Sequence, residues 1–230
     1  MTVAAVILAA TEAAALADAA GVSRVRRIAD AAWAGGATPI VVVAPDPAGR
    51  VAAALAGAPV TLAAPAAHEG GPVGQIARGI DVALAENSGT DAVLVWPARI
   101  CWAGPETATS LIETHGIDSG VLLRPAWRAE AGWPVLLPVA AVPAFRLLSP
   151  ALMPEELVDA LVASGTAARA LDLGDPGAVL DGSTPRDQLP PYEGPVPPAS
   201  ARGYEWGAVA AATRDDAPLA GPPIAPADRA

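Results

Sequence analysis

The apolar positions of this chain fall into short unbroken runs, not into strict alternation. Residues 3–9, 39–44 (PIVVVA), 59–63 and 91–96 (DAVLVW) are such runs. Short runs that are apolar on both faces are the pattern of strands inside a parallel sheet. Between them lie segments of helical character. Residues 24–35 form one, closed by the Gly35-Gly36 pair, and residues 48–56 another. A glycine-rich turn, Glu69-Gly70-Gly71-Pro72-Val73-Gly74, leads into a helix predicted to end near Asn87. Residues 105–115 begin with Pro105, a favoured first-turn residue. Further strands are predicted at 119–123, 133–137 and 169–173, with helices at 139–148 and 154–164.

Strands that alternate with helices predict an α/β fold with a mostly parallel sheet covered on both faces. Ligands of such sheets sit beyond the carboxyl ends of the strands. The loops after Ala9, Ala63 and Trp96 are therefore where chemistry is expected. From about Gln188 the composition shifts, with nine prolines between there and Ala230. The expected division is a domain over 1–188 and a proline-rich C-terminal tail over 189–230. Such a tail is either a flexible linker or a segment anchored by Tyr192, Tyr204 and Trp206.

Composition narrows the function. At 53% hydrophobic and 17% charged residues the chain can bury a substantial core. With 24 acids against 14 bases it repels phosphate backbones, and no nucleic-acid partner is expected. The densest basic cluster is Arg24, Arg26 and Arg27. All the basic residues are arginine, so any mechanism that needs a lysine is excluded. The single Cys101 rules out an intramolecular disulfide and a cysteine-based metal cluster. Residues 1–10 lack a positive region, and Glu12 and Asp18 interrupt the apolar start, so no membrane span is expected and the cytoplasm is the default location.

Five pieces, in order, resemble the MobA-like NTP transferase family: AAVILAA near the start, the PIVVV strand, GGPVGQIARGI, DAVLVWPARICWAGPE, and WPVLLP followed by VLDGSTPRD. The likeness runs over roughly residues 3–189. It implies a three-layer, Rossmann-like nucleotidyltransferase fold. The family includes guanylyl- and cytidylyltransferases that load molybdopterin.

The chain departs from the family's pattern where the resemblance implies chemistry. The family's first loop is glycine-rich and carries an arginine and a lysine for the triphosphate. Here the glycine's place is Thr11, the arginine's Ala15 and the lysine's about Ala20, with Glu12 and Asp18 adding negative charge. This alanine-rich stretch is expected to continue as helix. The aspartate the family uses for magnesium after its fourth strand falls on Arg99, and a guanidinium cannot ligate a hard cation. In Leu180-Asp181-Gly182-Ser183-Thr184-Pro185-Arg186-Asp187 the second family aspartate falls on Ser183, and a family Gly-His-Pro reads Gly132-Trp133-Pro134.

The candidate ligand or partner residues are Arg99, Asp181, Ser183, Gly70, Gly71, Gly74, Trp96, Trp102 and Trp133. Arg99 either binds an anion or pairs with Asp181, the pair being the expected role. Trp96, Trp102, Trp127 and Trp133 map to the carboxyl side of the sheet, where they either fill a vacated pocket or grip a partner. The Gly70–Gly74 loop is either a bare turn or lies near a base. His68 and His115 are expected at the surface. No catalytic and no metal-ligating residue is assigned. The expected function is a catalytically degenerate nucleotidyltransferase-like protein serving as a binding, scaffold or accessory subunit. Its partner would be another protein or a second copy, met through the tryptophan-rich face and the tail. One alternative is a divergent nucleotidyltransferase that uses Arg99 and Asp181, the only case in which magnesium and an NTP are expected. The other is a small-molecule binder with a repurposed pocket.

Overall fold

The four early apolar runs become four parallel strands: β1 (Val3–Leu8), β2 (Ile40–Val43), β3 (Thr61–Ala63) and β4 (Ala92–Pro97). They pair in the order β3-β2-β1-β4. Every residue of β2 and of β4 is buried, as strands covered on both faces require. The computed structural model describes residues 1–195. Tyr204 and Trp206, expected to anchor the tail, lie outside the described residues.

The second half of the sheet is β5 (Leu122–Trp127), β6 (Glu130–Ala131), β7 (Val135–Pro138) and β8 (Ala168–Asp172). β7 lies antiparallel to β4 and to β5, and β8 lies parallel to β5. β6 and β7 both run against β5 and form two halves of one return strand, broken at Gly132-Trp133-Pro134. β5 starts later and runs further than the predicted 119–123. Arg128 and Ala129, both with positive φ, make the two-residue turn into β6. That turn geometry usually carries Asn-Gly. An Arg-Ala pair gives no such signal, and β6 was not foreseen.

Among the described residues seven α-helices clothe the sheet: α1 (Glu12–Leu16), α2 (Arg24–Ala34), α3 (Arg50–Ala54), α4 (Gly71–Glu86), α5 (Pro105–Ile117), α6 (Val142–Phe145) and α7 (Leu157–Ala163). α4 covers one face at very short range. A Cβ on its Gly79 would lie 2.2 Å from Cγ1 of Val6 in β1. On the other face α2 and α5 pack together, and the Thr109 hydroxyl donates to the carbonyl of Gly35. Predicted residues 139–148 are helical only in part, a 3-10 turn at Val139–Ala141 followed by α6.

His115 is not at the surface. It is 1% exposed, on the face of α5 shared with Thr107, Ala108 and Leu111. Its spacing from Leu111 and Ala108 places it there, on the stripe that faces the sheet. Burial pushes its pKa down, partly opposed by Asp91 and Asp118. His68 is exposed, as expected. Among the described residues no helix is long and apolar enough to cross a membrane.

Candidate functional site

The order β3-β2-β1-β4 reverses direction between β1 and β4. The crevice beyond the carboxyl ends of these two strands is therefore the switch point at which α/β sheets take ligands. Two segments enter it, one after each strand.

After β1 the chain winds into α1, but the helix expected to continue toward Ala20 ends at Leu16: Ala17 leaves helical geometry with ψ 140°, Asp18 bridges to Ser23, and Ala20 takes a positive φ. The Thr11 side chain accepts from the Ala14 N–H at 3.0 Å, an ordinary helix cap. Ala15, at the place of the family's arginine, is fully buried. Glu12 sits in the first turn of α1, 3.8 Å from the Arg50 guanidinium. This loop thus supplies a capped helix, with the Glu12 carboxylate beside Arg50 of the helix that follows β2.

After β4 comes Arg99. It does not pair with Asp181. Its guanidinium bonds Glu155 at 2.5 Å, in the 3-10 turn that precedes α7. Arg99 and the 181–183 segment meet through the backbone instead: the Gly182 N–H donates to the Arg99 carbonyl at 2.6 Å. Asp181 finds its partners locally. Its Oδ1 accepts from the Ser183 N–H at 2.7 Å and from the Ser183 hydroxyl at 2.5 Å. Those two bonds, the hydroxyl first, hold the Asp181 carboxyl below its usual range, with Arg24 and Arg99 adding smaller Coulomb attraction. The short Asx-type turn satisfies the carboxylate before the longer reach to Arg99 can compete.

The glycine-rich turn is the start of a helix, not a bare loop. His68–Gly70 is a 3-10 turn, and α4 begins at Gly71. Gly71 has φ +55°, and a Cβ there would fall 2.0 Å from the Pro150 carbonyl oxygen. Only glycine fits beneath the chain that links α6 to α7. Gly70 and Gly74 have no comparable close neighbour. The same α6–α7 link reaches Arg99 through Glu155 and is held to α4 by an Arg146–Asp81 ion pair. The link thus straps the start of α4 to the end of β4.

The tryptophans do not form one face. Trp96 is fully buried, its indole N–H donating to the Ile100 carbonyl at 2.8 Å. Trp133 is 4% exposed and belongs to the core. Trp127 is half-buried beneath the Arg128 guanidinium, 4.5 Å from the ring centre. Trp102 is half-buried; its indole N–H donates to the Thr184 carbonyl, and Arg27 lies 5.0 Å over its ring. Apolar rings in a densely packed α/β layer are drawn inward, which the residue type alone does not reveal.

The family's use of magnesium can be set against the donors present. The crest after β4 offers a guanidinium, and the Asp181 carboxylate is engaged by Ser183. Among the described residues no group of three histidine, cysteine or carboxylate side chains could hold a metal ion. A hard cation prefers several oxygen ligands, and this donor set does not fit one.

Sequence reasoning missed a cleft on the α2 side. It has a volume of about 260 Å³, and its walls include Arg27, Trp102, Asp175, Arg186 and Tyr192. The basic cluster at residues 24–27 was visible in the sequence. Its convergence with Arg186, far along the chain, was not. Asp175 forms one wall. Its carboxylate accepts from the Gly104 N–H, the Thr107 hydroxyl and the Gly177 N–H, thereby capping the start of α5 from outside the helix. The chain past Leu189 stays against this region: the Glu193 N–H donates to the Gly174 carbonyl, and its carboxylate meets Arg128 at 3.2 Å.

Comparison with known proteins agrees with the fold. The family model for the MobA-like NTP transferase domain matches residues 6–167. No curated protein matches the chain significantly. Among solved structures, a nucleotidyl transferase from Methanothermobacter aligns with TM-score 0.60 at 17% identity, covering 74% of this chain and 87% of that one. The 2-C-methyl-D-erythritol 4-phosphate cytidylyltransferase of Thermus thermophilus aligns with TM-score 0.59 at 17% identity, covering 81% and 95%. The protein Rv0371C of Mycobacterium tuberculosis, solved with manganese, aligns with TM-score 0.54 at 18% identity, covering 75% and 89%. At such identities these likenesses speak for the fold alone.

Proposed function

We propose, since this chain belongs to the MobA-like NTP transferase domain family, that it uses the family fold as a binding or accessory subunit and not for magnesium-dependent nucleotidyl transfer. The observation that carries this reading is Arg99. It stands at the carboxyl end of β4, ion-paired to Glu155. Nucleotidyl transfer needs the charge of a polyphosphate neutralised by metal and cations positioned around it. Here the loop after β1 contributes Glu12, and Arg50 is engaged with it. The partner would be another protein or a second copy of this chain.

Calorimetric titration with CTP and with GTP, each with magnesium, tests the reading. Absence of heat is the expected result. Micromolar binding followed by pyrophosphate release would overturn it. Sedimentation supplies the second arm: a lone monomer that carries nucleotide is incompatible with an accessory subunit.

A divergent nucleotidyltransferase is the second reading, and Asp181 favours it. Its carboxyl is held in the charged form, on a loop bonded to the end of the β4 segment. In that case Asp181→Asn abolishes pyrophosphate release and leaves the fold unchanged.

A further inference from the structure

We propose that the cleft on the α2 side is a second ligand site, which takes a small planar ring carrying an oxyanion between Arg27 and Arg186. It goes beyond the reading above, because neither Arg99 nor Asp181 lines it.

The charge pattern argues for the anion. The chain is acidic overall, and among the described residues Arg26, Arg50, Arg99, Arg128 and Arg146 each meet a carboxylate, whereas Arg24, Arg78, Arg124 and Arg169 meet none and line no common cleft. Arg27 and Arg186 meet none among the described residues, yet they face the same small cleft. Arg24 stands nearby, packed on Gly182, with its buried Nε lacking a partner among the described residues. Converging guanidiniums repel one another. Burial, and then the charge of Arg186, pull the Arg27 pKa below its usual value. A bridging oxyanion removes that repulsion, and guanidiniums are the side chains best shaped to grip phosphate or carboxylate.

The geometry argues for the ring and for preorganisation. Arg27 is laid over the Trp102 indole, whose N–H is tied to Thr184, so the guanidinium is aimed before any ligand arrives. Tyr192 supplies a second aromatic wall. Asp175, the acid in the lining, has its oxygens turned to Gly104, Thr107 and Gly177. The volume, about 260 Å³, suits a single ring with its acid group.

Calorimetry on the full chain at low salt, with phenyl phosphate, benzoate and inorganic phosphate as probes, tests this. Binding of phenyl phosphate or benzoate is expected, and whichever is tighter identifies phosphate ester or carboxylate as the source. Arg186→Gln, on an exposed turn, and Arg27→Met, which keeps the stem on Trp102, should each weaken binding about tenfold, the loss expected for one charged hydrogen-bond donor. Tyr192→Ala should weaken the ring-bearing probes and leave inorganic phosphate unchanged. Failure of both ring-bearing probes to bind at millimolar concentration overturns the proposal. So does binding that both arginine variants retain. The probes carry no nucleoside, so failure here leaves the accessory-subunit reading standing, and nucleotide binding leaves this one standing.

Discussion

Arg99 and Glu155, 56 positions apart, join the end of β4 to the turn before α7 through a 2.5 Å hydrogen bond. The pair occupies the crevice mouth, and both side chains keep about half of their surface in water. Two consequences follow, one energetic and one geometric. Energetically the bond counts for little, since solvent screens it. Geometrically it marks where the turn before α7 meets the end of β4.

Glu155→Gln should therefore change unfolding free energy by less than about 1 kcal/mol, the range for exposed ion pairs. Urea denaturation measures it. A loss of several kcal/mol would mean that the pair is structural in a way its exposure does not suggest.

The contact between α4 and β1 is of the opposite kind. Gly79→Ala places a methyl against Val6, which is fully buried in β1 and has nowhere to retreat. The expected cost is about 1–3 kcal/mol from overpacking. The same denaturation series reads it, with Gly57→Ala excluded as a control because its φ of +79° adds backbone strain.

His115 gives a pH dependence whose sign follows from its environment. Its folded pKa is depressed by burial, whereas in the unfolded chain it titrates near about 6.5. Above that value both states are neutral and the fold is unaffected. As pH falls from there toward the folded pKa, the unfolded chain takes up a proton that the folded one refuses, and stability is lost. His115→Leu should show a smaller loss of stability between about pH 7.5 and about pH 5.5, the span around that unfolded value, than the parent chain. Equal slopes would show that the imidazole is protonated inside the fold.

Cys101 is buried, and burial raises its thiol pKa, against smaller opposing pulls from Arg24 and Arg27. Only thiolate alkylates readily. Iodoacetamide at about pH 8, near the pKa of a free thiol, should leave the folded protein unmodified for hours and label it within minutes in denaturant, as mass spectrometry would record. Rapid labelling of the folded chain would place the thiol in an open pocket.

How much was legible beforehand differs between fold and site, for physical reasons. PIVVV and DAVLVW are apolar on both faces, a local property, and β2 and β4 followed from it. The alanine-rich stretch is helical only over residues 12–16; alanine favours helix locally, yet the chain leaves it at Ala17, where the Asp18–Ser23 bridge takes over. β6 was missed because its turn is Arg128-Ala129, a pair that carries no turn signal. The Arg99–Asp181 pair was a distance argument across two segments, and it failed because Ser183, two residues away, offered Asp181 closer donors. The convergence of Arg27 with Arg186 depends on how α2, the chain after β4 and the C-terminal part of the domain stack together. No window along the sequence contains it. The inward course of Trp96 and Trp133 is of the same sort: residue type announces a large ring, and only the packing decides which side it takes.

The interior between sheet and helices is filled to an unusual extent by alanine, including Ala4, Ala5, Ala29, Ala32, Ala83, Ala92 and Ala108, all at most 1% exposed. Where methyl groups space the layers, there is little to remove and little room to add. In most domains random substitution does its harm by hollowing out large residues. At these alanine positions the harmful direction is growth, whereas the large buried side chains such as Trp96, Phe145 and Leu111 remain open to the usual harm of truncation. A library varied at these seven alanines and sorted for folding should return few variants that gained a carbon.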